Sequence, residues 1–234
     1  MMNDPYGQRR SARSNAARLL VAILIVAVGV TAWTTSRSSG SSVGPEGVAI
    51  EHVGDLAPAS TTQTGSSVDG IACNTLAKEV TKYHIHTHVT VYVDGRQKRL
   101  PPGVGITKPA IVEKYASGNF YDVGLYDCLY WLHTHAGDGI IHVESPTRQN
   151  FTLGEFFDIW RQPLGPSQVG PAKGSVVVFE NGKKLVGNPR NTPLLNQGNI
   201  QIDVGTPVVA YHAFTFHVSG SCGQGTNGCV TKKG

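Results

Sequence analysis

The sequence predicts a mainly β protein, an antiparallel sandwich or barrel with one or two short helices, preceded by a single N-terminal transmembrane or signal segment. Three observations point there. Residues 83–93, YHIHTHVTVYV, alternate strictly, which is the period of a half-buried strand. Short apolar runs are separated by two-residue turn signals, above all Asp94-Gly95 and Asn181-Gly182, which favour hairpins. A hydrophobic content of 40% with 28 Gly and 13 Pro suits a turn-rich β protein better than a helical bundle.

The N-terminus is organised differently. Leu19 to Trp33 is a run of fifteen uncharged residues, which Thr34 and Thr35 extend to seventeen. A spanning helix needs about twenty residues and tolerates about seventeen, whereas a signal-peptide core is about 7–15 residues long. Arg9, Arg10, Arg13 and Arg18 precede the run and only Arg37 follows closely. The excess of positive charge before the run predicts a cytoplasmic tail at 1–18 and an extracytoplasmic C-terminal part. The bilayer is then a partner of residues 19–35 as an uncleaved single-pass anchor; cleavage near Ala32 would give a secreted protein instead. With Asp4, the tail carries +3 of the formal +4. The remainder is near neutral and lacks the field that nucleic-acid binding needs.

Residues 36–67, rich in Ser, Thr, Gly, Ala and Pro, read as a flexible linker with little apolar surface to offset chain entropy. Within it, Gly47–Val53 is a short patch able to order locally. Residues 68–234 form the expected domain. After the 83–93 strand, Cys128 to His135 and Ile140 to Glu144 flank Ala136-Gly137-Asp138-Gly139 as a second hairpin. Ser175 to Phe179 and Lys183 to Val186 make a third, and Ile200 to Val204 and Val208 to Val218 supply further strands. Thr152-Leu153-Gly154-Glu155 is a capping-box pattern opening a helix through Trp160, with Phe156, Phe157 and Trp160 as its core face. Asn74 to Val80 is the candidate second helix, and Gly103-x-Gly105 reads as a loop.

Cys73, Cys128, Cys222 and Cys229 all lie on the exported side, where disulfides persist. Cys222 and Cys229 bracket a short Gly-rich loop, so a local bridge is easy and Cys73 is left to Cys128. Cys-x-x-Cys spacing, the usual sign of thiolate metal ligation, is absent from the sequence.

Six of nine histidines fall in two clusters, His84-x-His86-x-His88 and His133-x-His135 with His142. Alternation puts the first three on one strand face, opposite Ile85, Thr87, Val89, Val91 and Val93. Either hairpin tip, Gly137-Asp138 or Asp138-Gly139, keeps His142 on the face of His133 and His135; the first opposes His133 to His142, the second His135. Opposed Cβ atoms lie about 4.5–5.5 Å apart, close enough for two imidazoles to reach one ion. Such a set predicts a divalent transition-metal cofactor, with Zn²⁺ or Cu²⁺ foremost and Ni²⁺ or non-haem iron possible, and argues against Cu⁺ for want of soft sulfur. Glu144 and Asp138 are candidate general bases, or, with Asp122 and Asp127, ligands or their supports. The opposing reading is a polar strand face titrating near neutrality. His212 and His217 have opposite parity and His52 lies in the linker, so these three are left out.

YHIHTHVTVYVDG, LPPGVGI, CLYWLHTHAGDGIIHVESP and FTLGEFFDIW together resemble an uncharacterised bacterial family of exported, membrane-tethered His-rich β domains. The resemblance covers roughly Gly70 to Thr206 and implies domain boundaries but no activity. LHTHAGDGIIHVE is also similar to the first cupin motif, His-x-His followed by Glu, but departs from it at Gly139 and Ile140, with Glu144 placed too late.

Three functions follow. The first is a membrane-tethered extracytoplasmic metal-binding domain for sensing, buffering or delivery. The second is a metal-dependent enzyme in which three histidines activate water. The third is a metal-free adhesion or assembly module. Nucleophile-triad, phosphate-loop and dinucleotide motifs are missing from the sequence, so binding ranks above catalysis.

Overall fold

A computed structural model of the chain describes residues 52–59, 65–108 and 126–216, and the backbone of 112–115 and 118–121. The apolar run at 19–35 and the Cys222–Cys229 pair lie outside these residues. Among the described residues, no helix is long and apolar enough to cross a membrane.

The dominant element is a seven-stranded sheet. Its strands, in chain order, are β1 (Tyr83–Val93), β2 (Arg96–Lys98), β3 (Leu132–His133), β4 (Ile140–Ser145), β5 (Val176–Glu180), β6 (Lys183–Lys184) and β7 (Gly198–Val204). They lie in the order β6-β5-β7-β1-β4-β3, and β2 pairs with the far end of β1 beyond β4. Asp94 and Gly95 turn β1 into β2, and Asn181 and Gly182 turn β5 into β6; all four have positive φ. That geometry is the type I′ requirement that Asp-Gly and Asn-Gly meet.

Two features of the expected architecture are corrected. The sheet is open rather than a barrel, because it ends in two-residue strands. One of these, β6, is an exposed pair of lysines, a charged edge that discourages further pairing. Nor is the sheet purely antiparallel: β7 runs parallel to β1, from Gly198 opposite Thr87 to Val204 opposite Val93. Parallel neighbours need a long crossover, and residues 94–197 provide one.

Alternation then separates two faces. On one, Ile85, Val89 and Val91 join Ile141, Val143, Val178, Ile200 and Ile202 in the core. This core includes the helix α1 (Leu153–Trp160) through Leu153, Phe156, Phe157 and Trp160. Thr152 caps α1 in a complete capping box with Glu155, as its sequence predicts. The second predicted helix shrinks to a 3₁₀ turn at Leu76–Lys78 with no buried residue, so nothing apolar anchors a longer one. Part of the expected linker is also ordered: Leu56 and Ala57 are buried in the core, and Pro58 O accepts a hydrogen bond from Trp160 Nε1 at 2.9 Å. A few apolar residues in a polar stretch suffice to dock it.

The other face carries His84, His86, His88, His142 and Glu144, followed along β7 by Asn199, Gln201 and Asp203. The predicted strand at Val208–Val218 is not one over its described part; residues 208–216 carry no regular secondary structure and join no ladder. Both edges of β7 are already taken, by β5 and β1, so this segment crosses the face instead. Side chains of β7 serve its backbone: Val209 N donates to Asp203 Oδ1 at 2.8 Å, and His212 N donates to Gln201 Oε1 at 2.9 Å.

Cys73 and Cys128 form the expected disulfide. They join the short strands Cys73–Asn74 and Cys128–Tyr130, which pair beside Ile106–Thr107 in a three-stranded sheet. The second of these leads directly into β3 and the histidines.

Candidate metal centre

Register brings the two histidine clusters together. His86 lies opposite His142 and His84 opposite Glu144 in the β1–β4 pairing, while His133 lies opposite His142 between β3 and β4. Of the two tips weighed from sequence, the observed register is that of Gly137-Asp138, although the ladder stops at His133. His135 continues in the connection, which is held by a hydrogen bond from Ile140 N to Asp138 Oδ1 at 3.0 Å.

Five imidazoles thus converge as two groups that could each hold a metal ion: His84, His86 and His142, and His133, His135 and His142. The first is the outer group, since His84 and the neighbouring Glu144 each keep 14% of their side-chain surface exposed. The second is inner: His133, His135 and His142 are 0%, 5% and 5% exposed. The inner three are thus buried. One reason is the Pro101–Thr107 loop, which bonds along 129–134, as in Gly103 N to Thr134 O at 2.8 Å and Tyr130 N to Gly105 O at 2.9 Å. A Cβ on Gly105 would lie 2.4 Å from Leu132 O and 3.0 Å from His133 Cβ. Only glycine allows that approach.

The outer spacing matches a coordination shell. His84 Nε2 is 2.9 Å from His86 Nε2, and His86 Nε2 is 3.1 Å from His142 Nδ1. Glu144 Oε1 lies 3.1 Å from His84 Nε2 and 3.8 Å from His142 Nδ1. Ligands about 2.0 Å from a tetrahedral ion are separated by edges of about 3.3 Å. Proton counting points the same way. An imidazole nitrogen carries one hydrogen or one lone pair, never both. His86 Nε2 therefore cannot make a full two-centre hydrogen bond to each of two ring nitrogens, whereas a cation between them makes ligands of all three.

In the inner group, His133 Nδ1 is 2.9 Å from Tyr130 O. A carbonyl only accepts, so Nδ1 donates, and the neutral ring presents its Nε2 lone pair 3.2 Å from His135 Nε2. Burial, then the neighbouring His135, hold His133 well below the usual imidazole range, against the pull of Glu144. For Glu144, burial alone would raise the carboxyl, but the imidazoles of His142, His133 and His84 beside it override this and hold the group well below the usual range. A carboxylate among imidazoles is a donor set for a borderline divalent ion.

The remaining predicted residues are elsewhere. His88 shares the face but stands apart from both groups, stacked on Phe214 with ring centroids 3.6 Å apart. Asp138 is buried in the turn and belongs to neither group. Asp127 pairs with Lys108 at an exposed site, and Asp122 lies outside the described residues. Sequence reasoning missed the Tyr130 carbonyl, because a backbone group leaves no compositional trace.

Fold and site together define a mainly β protein with buried histidine clusters that could hold a metal ion. Neither a family model, a curated protein nor a solved structure matches the chain.

Proposed function

We propose that this chain is a membrane-tethered extracytoplasmic domain that binds a divalent transition metal, Zn²⁺ or Cu²⁺, for sensing, buffering or delivery, and that it belongs with the exported His-rich domains its motifs resemble. The observation that carries the metal reading is the convergence of one ring nitrogen each from His84, His86 and His142, all within 4.8 Å of one another, with the Glu144 carboxylate beside them. The location rests on the arginine-flanked apolar run at 19–35 and agrees with a disulfide, which persists in oxidising compartments. Binding is preferred over catalysis because Glu144 supplies a fourth donor, filling the position that a catalytic metal keeps for water. If Glu144 serves instead as a general base, the outer three histidines leave that position open, and the reading becomes a hydrolytic or hydrating enzyme.

The test uses the full-length chain, purified in detergent without a polyhistidine tag. Zn²⁺ should be retained tightly, and His86→Ala should weaken it by at least about a hundredfold, more than loss of a supporting residue usually costs. Millimolar affinity unaffected by His86→Ala would leave a metal-free module. A rapidly exchanging water on a bound Co²⁺ probe would favour the enzyme.

A further inference from the structure

His142 is the one residue common to the two histidine groups. Its Nδ1 faces the outer set, 3.1 Å from His86 Nε2 and 3.8 Å from Glu144 Oε1. Its ring also packs against both inner histidines, parallel to His133 at 5.2 Å and edge-on to His135 at 4.5 Å. An imidazole carries two nitrogens on diverging sides of one rigid ring, and each can ligate a separate ion. One central ion is a poor alternative, since five imidazoles and a carboxylate exceed the four ligands of a tetrahedral site.

We propose that the centre is dinuclear, with His142 bridging an outer ion held by His84, His86 and Glu144 to an inner ion held by His133 and His135. This rests on the metal-binding reading above. Two metal–nitrogen bonds of about 2.0 Å plus the width of the ring set the ions about 6 Å apart. The bridging ring acts as imidazolate, its remaining N–H proton passing to solvent as the second ion binds. That negative charge also answers an electrostatic difficulty. The inner histidines are buried, and an uncompensated divalent charge there is costly. Loading is ordered accordingly. The partly exposed outer group, which already has a carboxylate, fills first, and the inner group fills second.

The experiment loads the full-length chain with Cu²⁺ alone, removes loosely held ion by passage through a chelating buffer, and records copper per chain and the electron paramagnetic resonance spectrum. Two ions per chain with a spin-coupled spectrum are expected. His135→Ala should retain one ion with an uncoupled signal, His86→Ala should lose the outer ion, and His142→Ala should lose the coupling. The wild-type spectrum needs no variant, so a variant that misfolds does not blunt the test. Two retained ions without coupling would overturn the bridge. One retained ion would overturn the dinuclear centre and leave the proposed function standing, whereas none would overturn both.

Discussion

His88 faces the same way as His84 and His86, yet its chemistry is separate. Burial lowers its pKa from 6.5 to about 4, against opposing contributions from the Asp138 backbone and the Asn199 side chain. An imidazole with a folded pKa below its unfolded value adds stability that is complete above about 6.5. That stability is lost as pH falls toward 4, because the unfolded chain binds the proton more readily. The contribution is on the order of 3 kcal/mol. In metal-free protein, the urea midpoint should fall between pH 6.5 and 4, and His88→Gln should flatten that limb; an unchanged slope would contradict the assignment. Gly139 stands against the same ring. It has φ +81°, and a Cβ there would lie 2.7 Å from both His88 Nε2 and Val89 O. Gly139→Ala should cost about 1–3 kcal/mol from the backbone alone, with the overlap adding to it, read as a lower urea midpoint. At this scale strand parity identifies which face each histidine takes but not its depth. Depth depends on the Pro101–Thr107 segment and on residues 207–216, which are distant in sequence from the histidines they cover, His133 and His88 respectively.

Elements were legible where a local signal fixes them. Alternation identifies β1, the positive-φ pairs identify two hairpins, and the capping box identifies α1. Thr152 Oγ1 accepts from Glu155 N, and Glu155 returns the bond to Thr152 N at 2.6 Å. Thr152→Ala should therefore cost about 1 kcal/mol, measured as a shift in urea midpoint at constant m-value; no shift would mean that packing of Phe156, Phe157 and Trp160 holds the helix without its cap. Partner choice was not legible. The period of Ile200–Val204 identifies a strand, but nothing local says that it lies parallel to β1. Residues 208–216 carry alternation as convincing as that of β7, and fail as a strand because both of β7's edges are occupied. Periodicity reports a face to be covered. It does not report a free edge.

The molecule as a whole is tied at the disulfide, which closes a separation of 55 residues from Cys73 to Cys128. In the chain-entropy account, a loop of that size contributes about 4 kcal/mol. Cys73→Ser with Cys128→Ser should lower the unfolding free energy by about that amount in equilibrium denaturation, and a change below about 1 kcal/mol would show that native strain offsets the gain. The bridge lies at the base of the inner histidines, since Cys128–Tyr130 leads into β3 and Tyr130 orients His133. The sequence made this pairing legible by elimination, whereas the docking of Leu56 was hidden in a stretch whose composition is otherwise that of a tether. The parallel pairing of β1 with β7 has a consequence in time. Ribosomes make β1 first, and its partner arrives only with residues 198–204. Until then the central strand has one bare hydrogen-bonding side, the kind of edge on which chains stick to one another. A nascent or truncated product ending before residue 198 would carry β1 with that side unsealed, which makes β7 the molecule's own safeguard against aggregation.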